Sequence, residues 1–216
     1  MSYVLRWSVG NGKLKKTHTV SFNLPAFRSA DGFTVCPQAG KCASVCYARQ
    51  GRYLLPDAVQ AREVNLDIVR TSLPLFERLA CADLRRIKAR SIRIHDSGDF
   101  FSQAYFDTWC RIVARFPRKR FYCYTKSLHL DLSARPANLR IVQSLGGKLD
   151  ARVNKAASHT RIFASAAERR AAGYQDGNQT DRPAQTGVIR IGFVYHGSTP
   201  LSPAMARVLR ADNPKL

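Results

Sequence analysis

No stretch of this 216-residue sequence approaches the roughly 18 consecutive apolar residues that suggest a membrane span. The segment from Met1 to Trp7 and the Gly/Lys-rich turn after it lack the apolar core of a signal peptide, which predicts a cytoplasmic protein with reduced thiols. There is no Gly-x-x-x-x-Gly-Lys-Ser/Thr phosphate loop and no Gly-x-Ser-x-Gly nucleophile elbow, and two large enzyme classes fall away. No repeat of fixed period and no low-complexity linker interrupts the chain. Acidic residues are scarce: 15 Asp plus Glu face 35 Lys plus Arg, a net charge of +20. A field of that sign attracts polyanions, meaning nucleic acid or a phosphorylated substrate, and carries no information about fold.

What is present is a globular composition, 45% hydrophobic and 23% charged, on a chain long enough to bury a core without disulfides. The basic residues form local knots at Lys13 to Lys16, Arg85 to Arg90, Arg115 to Arg120 and Arg169 to Arg170, spread along the sequence in the manner of a basic folded surface. One domain is expected over residues 1–216, with a cysteine-rich segment at 22–53, a β/α core at 54–197 and a C-terminal extension at 198–216.

Apolar residues at three- and four-residue spacing predict helices from Leu75 to Ile87 and, after Ser102 as N-cap, through Tyr105, Trp109 and Ile112 until Pro117. A third helix is expected from Pro56 to about Arg70. Strands are predicted at Ser91 to His95, Arg120 to Thr125, Leu139 to Val142, Lys148 to Val153, Arg161 to Ala164 and Val188 to Tyr195. Ala172 to Gly187 reads as a long loop. The alternation of helix and strand makes the fold class α/β, a mostly parallel sheet built from βα units. Several of these strands run into polar clusters, among them His95-Asp96-Ser97-Gly98-Asp99, Thr125-Lys126-Ser127 and His196-Gly197-Ser198. Ligands of parallel sheets sit at the carboxyl ends of the strands, so these clusters predict one shared site.

Cys36, Cys42 and Cys46 lie within eleven residues of one another, with Pro37 and Gly40 permitting a tight wrap. In a reducing compartment three thiols so close favour a metal over a disulfide. Structural zinc takes four ligands, and neither a Cys-x-x-Cys hook nor a nearby fourth ligand is evident. A 4Fe-4S cluster on three thiolates leaves one iron open for a ligand. Both metals stay in view, with His95 as a candidate fourth ligand. Cys81, Cys110 and Cys123 fall inside helical or strand patterns and read as small core hydrophobes.

The run Cys36-Pro37 through Cys42 and Cys46-Tyr47-Ala48, then Arg49 to Tyr53, Ile92 to Phe101 and Phe121 to Ser127, resembles the bacteriophage gene-product-eighty-eight family from about Phe22 to Gly197. That resemblance implies a phage origin, hence the host cytoplasm, and a cysteine-bound centre. A wider resemblance is to radical S-adenosylmethionine enzymes, which implies a small partial (β/α) barrel. In those enzymes three cysteines on the loop after the first barrel strand hold a 4Fe-4S cluster, and S-adenosylmethionine chelates the open iron. Cys36, Cys42 and Cys46 would be the ligands, and Ser97-Gly98-Asp99 stands where those enzymes receive the cofactor's amino group. The cysteine spacing here, five then three, departs from the usual three then two, and Tyr47 follows the last cysteine where the usual aromatic precedes it.

For this sequence Gly98 allows close backbone approach, Asp96 or Asp99 can accept from an ammonium, and Lys126 can bind a carboxylate or phosphate. His95 and Asp96 could be read as a general acid–base pair, but as strand neighbours their side chains leave on opposite faces, so contact between them is not assumed. Two functions follow: a small cluster-dependent enzyme acting on a nucleic acid or nucleotide, or a nucleic-acid-binding protein whose iron–sulfur or zinc site is structural or redox-sensing.

Overall fold

The computed structural model describes residues 3–10 and 12–211. In chain order the elements are β1 (Trp7–Ser8), α1 (Gly12–Lys15), β2 (Thr19–Phe22), α2 (Pro56–Thr71), α3 (Leu73–Arg86), β3 (Ser91–Ile94), α4 (Gln103–Ala114), β4 (Arg120–Thr125), β5 (Leu139–Ser144), β6 (His159–Phe163), α5 (Ala166–Ala171), β7 (Gln175–Asp176), α6 (Arg182–Thr186), β8 (Arg190–Val194) and α7 (Pro203–Arg210). The strands form one eight-stranded sheet in the order β1-β2-β3-β4-β5-β6-β8-β7. Every pairing is parallel except that of β1 with β2.

Strands β2 to β6 lie side by side in the order in which they occur in the chain, and right-handed crossovers between such strands all fall on one face. The side-chain alternation of the strands agrees. Phe22, Ile92, Ile94, Phe121 and Cys123 point to the helix side and form the main core with Phe76, Tyr105, Trp109 and Ile112. The register that aligns these residues aligns Ser21, Arg93 and Tyr122 on the opposite face. There a smaller core of Tyr122, Val142, Ala184 and Ile191, flanked by Tyr124 and Phe193, packs under α6. Cys81, Cys110 and Cys123 belong to the helix-side core.

The helices follow their sequence signals. Ser102 Oγ accepts from the Tyr105 amide at 3.3 Å at the start of α4, and Ser72 Oγ accepts from Leu75 at 3.2 Å at the start of α3; each cap satisfies an otherwise orphaned N–H. Pro56 occupies the first turn of α2.

Three expectations are corrected. Lys148 to Val153 is not a strand. Asp150 accepts from the amides of Gly146 and Gly147, both at 2.8 Å, so the segment folds back on itself into a 3-10 turn, Asp150–Arg152. Ala172 to Gly187 is not a bare loop; it contains β7 and α6. The core begins before the cysteine segment, because β1 and β2 belong to the same sheet. Residues 198–211 contribute α7, whose Leu209 carbonyl accepts from Arg161 at 3.1 Å. Among the described residues no helix is long and apolar enough to cross a membrane.

Candidate functional site

Because the strands from β2 onward are parallel, their carboxyl ends share one edge of the sheet, and a cavity of about 190 Å³ opens there. Its lining includes Cys36, Cys42 and Cys46 together with Tyr47, Asp96, Ser97, Gly98, Asp99 and Lys126. Residues as far apart in the chain as Lys13 and His196 thus converge on a single space. Arg93, Tyr124, Phe193, Tyr195 and His196 complete much of the wall.

The cysteine loop leaves β2 and is stitched down by backbone bonds. The amides of Val35 and Cys36 donate to the Phe27 carbonyl at 2.9 and 3.1 Å, and the Cys42 amide donates to Gly146 at 3.1 Å. Gly40 lies so close to Gly147 that a Cβ on Gly40 would stand 2.9 Å from the Gly147 carbonyl carbon. The tight wrap expected of Gly40 is therefore a contact with the β5–β6 loop, which fixes the thiols against the rim. Among the described residues no three His, Cys, Asp or Glu side chains stand as a ready-made site for one metal ion. In a polynuclear cluster each thiolate binds its own iron, so the sulfurs surround a volume rather than a point.

Burial pushes the thiols of Cys36 and Cys46 up, and for Cys36 the neighbouring Asp99 adds to it. Lys126 faces the same space. Burial works against its charge, but Cys42, Asp99, Cys46 and Cys36 as anions outweigh burial and raise it. The two effects are mutually dependent: each charge alone is penalised, and thiolates and ammonium together offset one another.

The remaining polar residues are heavily committed to partners. Asp99 Oδ1 accepts from the Phe100 amide at 2.8 Å and Thr125 Oγ1 at 2.6 Å, and Oδ2 accepts from the Lys126 amide at 2.9 Å. A carboxylate has about four acceptor positions, so one is left on Oδ2. Ser97 Oγ donates to the Leu24 carbonyl at 2.7 Å. Gly98 has φ of +86°, and a Cβ there would lie 2.6 Å from Leu24 Cβ; the close approach it permits is to this neighbour. Asp96 accepts from Tyr53 Oη at 2.8 Å and Tyr47 Oη at 3.2 Å, and pairs with Arg93 at 3.6 Å. Tyr47 in turn stacks on His196, with ring centroids 5.3 Å apart. The His95 ring turns the other way, its Nε2 lying 2.9 Å from Tyr105 Oη, so it does not meet Asp96.

A buried charge network under the cavity has no counterpart in the sequence reading. Asp181 is fully buried and receives Lys13 at 2.7 Å, Arg93 at 2.9 Å, Tyr122 Oη at 2.8 Å and Tyr124 Oη at 3.2 Å. Burial alone would raise its carboxyl, yet Arg93 and Lys13 hold it below the usual carboxylate value. Lys13, expected within an exposed basic knot, is instead an interior ion-pair partner. Arg93 was hidden within a strand pattern and Asp181 within a presumed loop; a lone charge flanked by strand residues was the signal available for Arg93.

The sequence profile of the family described as Gene product 88 matches residues 5–198. The Gene 88 proteins of Mycobacterium phage D29 and Mycobacterium phage L5 are each 32% identical over 152 residues, which cover 59% of this chain and 62% of theirs. The matched region thus spans under two thirds of the length of these curated relatives. No solved structure matches the chain. A profile match over nearly the whole described chain, taking in the cysteine loop and every residue of the cavity wall, establishes that the chain belongs to the Gene product 88 family.

Proposed function

We propose that Cys36, Cys42 and Cys46 bind a 4Fe-4S cluster with one open iron, and that the chain is a small radical-S-adenosylmethionine-like enzyme acting on a nucleic acid or nucleotide. The observation that carries the reading is topological. One loop, leaving the first parallel strand, delivers three thiols to a cavity at the carboxyl ends of a parallel sheet in which β2 to β6 lie in chain order, before the order ends β8-β7. A partial (β/α) barrel has that strand order, and its ligands lie at that end.

The residues present fit such a group. Its net negative charge would find Lys126 beside the thiols, and the anionic ligands would relieve the burial penalty on the ammonium. When bound, the group would supply a low-potential electron next to an open coordination position. The work of the chain's own residues is positional. Asp99 ties the start of the β3–α4 loop to the end of β4 and keeps one acceptor position for an ammonium. Tyr47 and Tyr53 hold the Asp96 carboxylate, and the Tyr47–His196 stack narrows the mouth against water. Ser97 and Gly98 keep that loop seated on Leu24.

Exposed cations lie on two loops that also supply residues to the cavity wall: Lys41, Arg49 and Arg52 on the cysteine segment, and Lys148, Arg152 and Lys155 between β5 and β6. This rim favours a polyanion as substrate. It equally supports the second reading, a nucleic-acid-binding protein whose iron–sulfur or zinc site is structural or redox-sensing.

Anaerobic purification with iron and sulfide analysis tests the cluster, and brown iron–sulfur absorbance is expected. Cys42→Ala should abolish it while Cys81→Ala should not; equal loss in both would sink the ligand assignment. A reduced paramagnetic resonance spectrum that changes on adding S-adenosylmethionine supports the enzyme. An unchanged spectrum leaves the structural-cluster reading ahead.

A further inference from the structure

We infer that Lys126 is the positioning charge of the thiol site: its ammonium, delivered by the end of β4, sets the electron affinity of whatever anionic cluster the three cysteines hold. The inference rests on the iron–sulfur reading above and deepens it.

Three observations lead to this residue. First, the cavity-lining cations differ in their partners. Lys13 and Arg93 are both paired with Asp181, at 2.7 and 2.9 Å, and Arg93 also with Asp96. Lys126 and Arg161 also line the cavity and have no ion pair among the described residues, but the Arg161 guanidinium is engaged by the Leu209 carbonyl at 3.1 Å, whereas Lys126 shares the space with the thiols. Second, the nearest carboxylate does not neutralise it by contact. Asp99 spends three of about four acceptor positions on the Lys126 backbone amide, Thr125 and Phe100, and forms no ion pair with the Lys126 ammonium among the described residues. Third, the stem of the side chain is held in place. The Lys126 amide is held by Asp99, and the Lys126 Cβ and Cδ pack where Gly147 leaves room, at 3.3 Å from the point a Cβ there would occupy. The same Gly147 touches the cysteine loop through Gly40. A lysine held in this way has its stem packed beside the cysteine loop and shares the cavity with the three thiols, whose charges as anions act on its ammonium.

The consequence is electrostatic. One-electron reduction of a thiolate-bound cluster adds one negative charge and neither forms nor breaks a bond; the electron comes from a low-potential one-electron donor. A fixed cation in a low-dielectric cavity stabilises the more negative state. Lys126 therefore makes the cluster easier to reduce.

The experiment compares the anaerobically reconstituted wild-type chain with Lys126→Met and Lys126→Arg in a dithionite-poised titration followed by paramagnetic resonance. The expected result is a lower potential for Lys126→Met. A tenfold fall in the reduced-to-oxidised ratio, equivalent to about 59 mV for one electron, is the smallest shift that supports the inference. Lys126→Arg, which keeps the charge, should stay closer to wild type. Folding of each variant is checked by circular dichroism, with Lys126→Gln replacing a methionine variant that does not fold. Cluster loss in Lys126→Met with retention in Lys126→Arg also supports the role of the charge. An unchanged potential in Lys126→Met, or equal cluster loss in both variants, overturns it. Absence of a cluster from the wild-type chain overturns the underlying reading instead, and that outcome is visible before any variant is made.

Discussion

Replacing Asp181 by Ala removes one carboxylate and strands four buried donors at once. Lys13 and Arg93 lose their ion pairs, and Tyr122 and Tyr124 lose a hydrogen-bond acceptor. Removing one partner of a buried pair costs about 3–5 kcal/mol, because the other charge is left uncompensated. Arg93 keeps a longer ion pair with Asp96 at 3.6 Å and hydrogen bonds to the His95 carbonyl at 3.2 Å and Tyr47 Oη at 3.4 Å, none of which replaces the close carboxylate. Against a total stability of about 5–15 kcal/mol for a domain, this is a large share. Asp181→Asn keeps an acceptor for the tyrosines and should be milder by about 1–2 kcal/mol, the net worth of one or two retained hydrogen bonds. Equilibrium urea unfolding followed by fluorescence of the buried Trp109 measures both variants. If Asp181→Ala costs less than about 1 kcal/mol, or Asn is as harmful as Ala, the reasoning about a charge-compensated floor beneath the cavity fails.

Three further outcomes are expected. Burial, reinforced by Arg93, lowers the His95 imidazole from its ordinary value of about 6.5 to about 3. The unfolded chain then takes up a proton that the folded chain refuses, so the contribution of His95 to stability is complete above pH 6.5 and is lost as the pH falls toward 3, by about 1.4 kcal/mol per unit. His95 has φ of +67°, which asparagine tolerates, so His95→Asn should flatten the slope of unfolding free energy between pH 4 and 6; identical slopes would refute the assignment. Gly98→Ala places a methyl against Leu24 at a left-handed backbone position and should cost roughly 2–4 kcal/mol in thermal or urea unfolding. A cost below ~1 kcal/mol would mean the β3–α4 loop yields easily. Affinity for short DNA or RNA should fall steeply as salt rises, as counterion release requires; binding indifferent to salt would show that the cationic rim serves something other than phosphate.

Much of the fold was legible because local chemistry specified it. The Ser102 cap and the apolar stripe behind it give α4, Pro56 starts α2, and the aromatic alternation of Arg120 to Thr125 gives β4 with the bounds observed. The errors share a cause. Lys148 to Val153 alternates like a strand, but Asp150 draws the two preceding glycine amides into a turn, and no periodicity records a carboxylate reaching back three and four residues. Thr19–Phe22 is too short to stand out, and parallel pairing with β3 makes it a strand. Pro183 and Gly187 bound α6 within what looked like loop chemistry, because burial of Asp181 beneath it decides the conformation.

The sequence by itself determined that three thiols lie on one short loop, that polar clusters follow the strands, and that the chain is strongly basic, since spacing and composition are local quantities. Only the tertiary structure decided what those clusters do. It brought Lys126 into one cavity with the thiols, with no ion-pair partner among the described residues, turned Ser97 and Gly98 into supports for Leu24, and placed Lys13 and Arg93 on a carboxylate far away in the chain. Burial and charge pairing are properties of neighbours in space. Parallel strands place such neighbours together from positions that no sequence window contains.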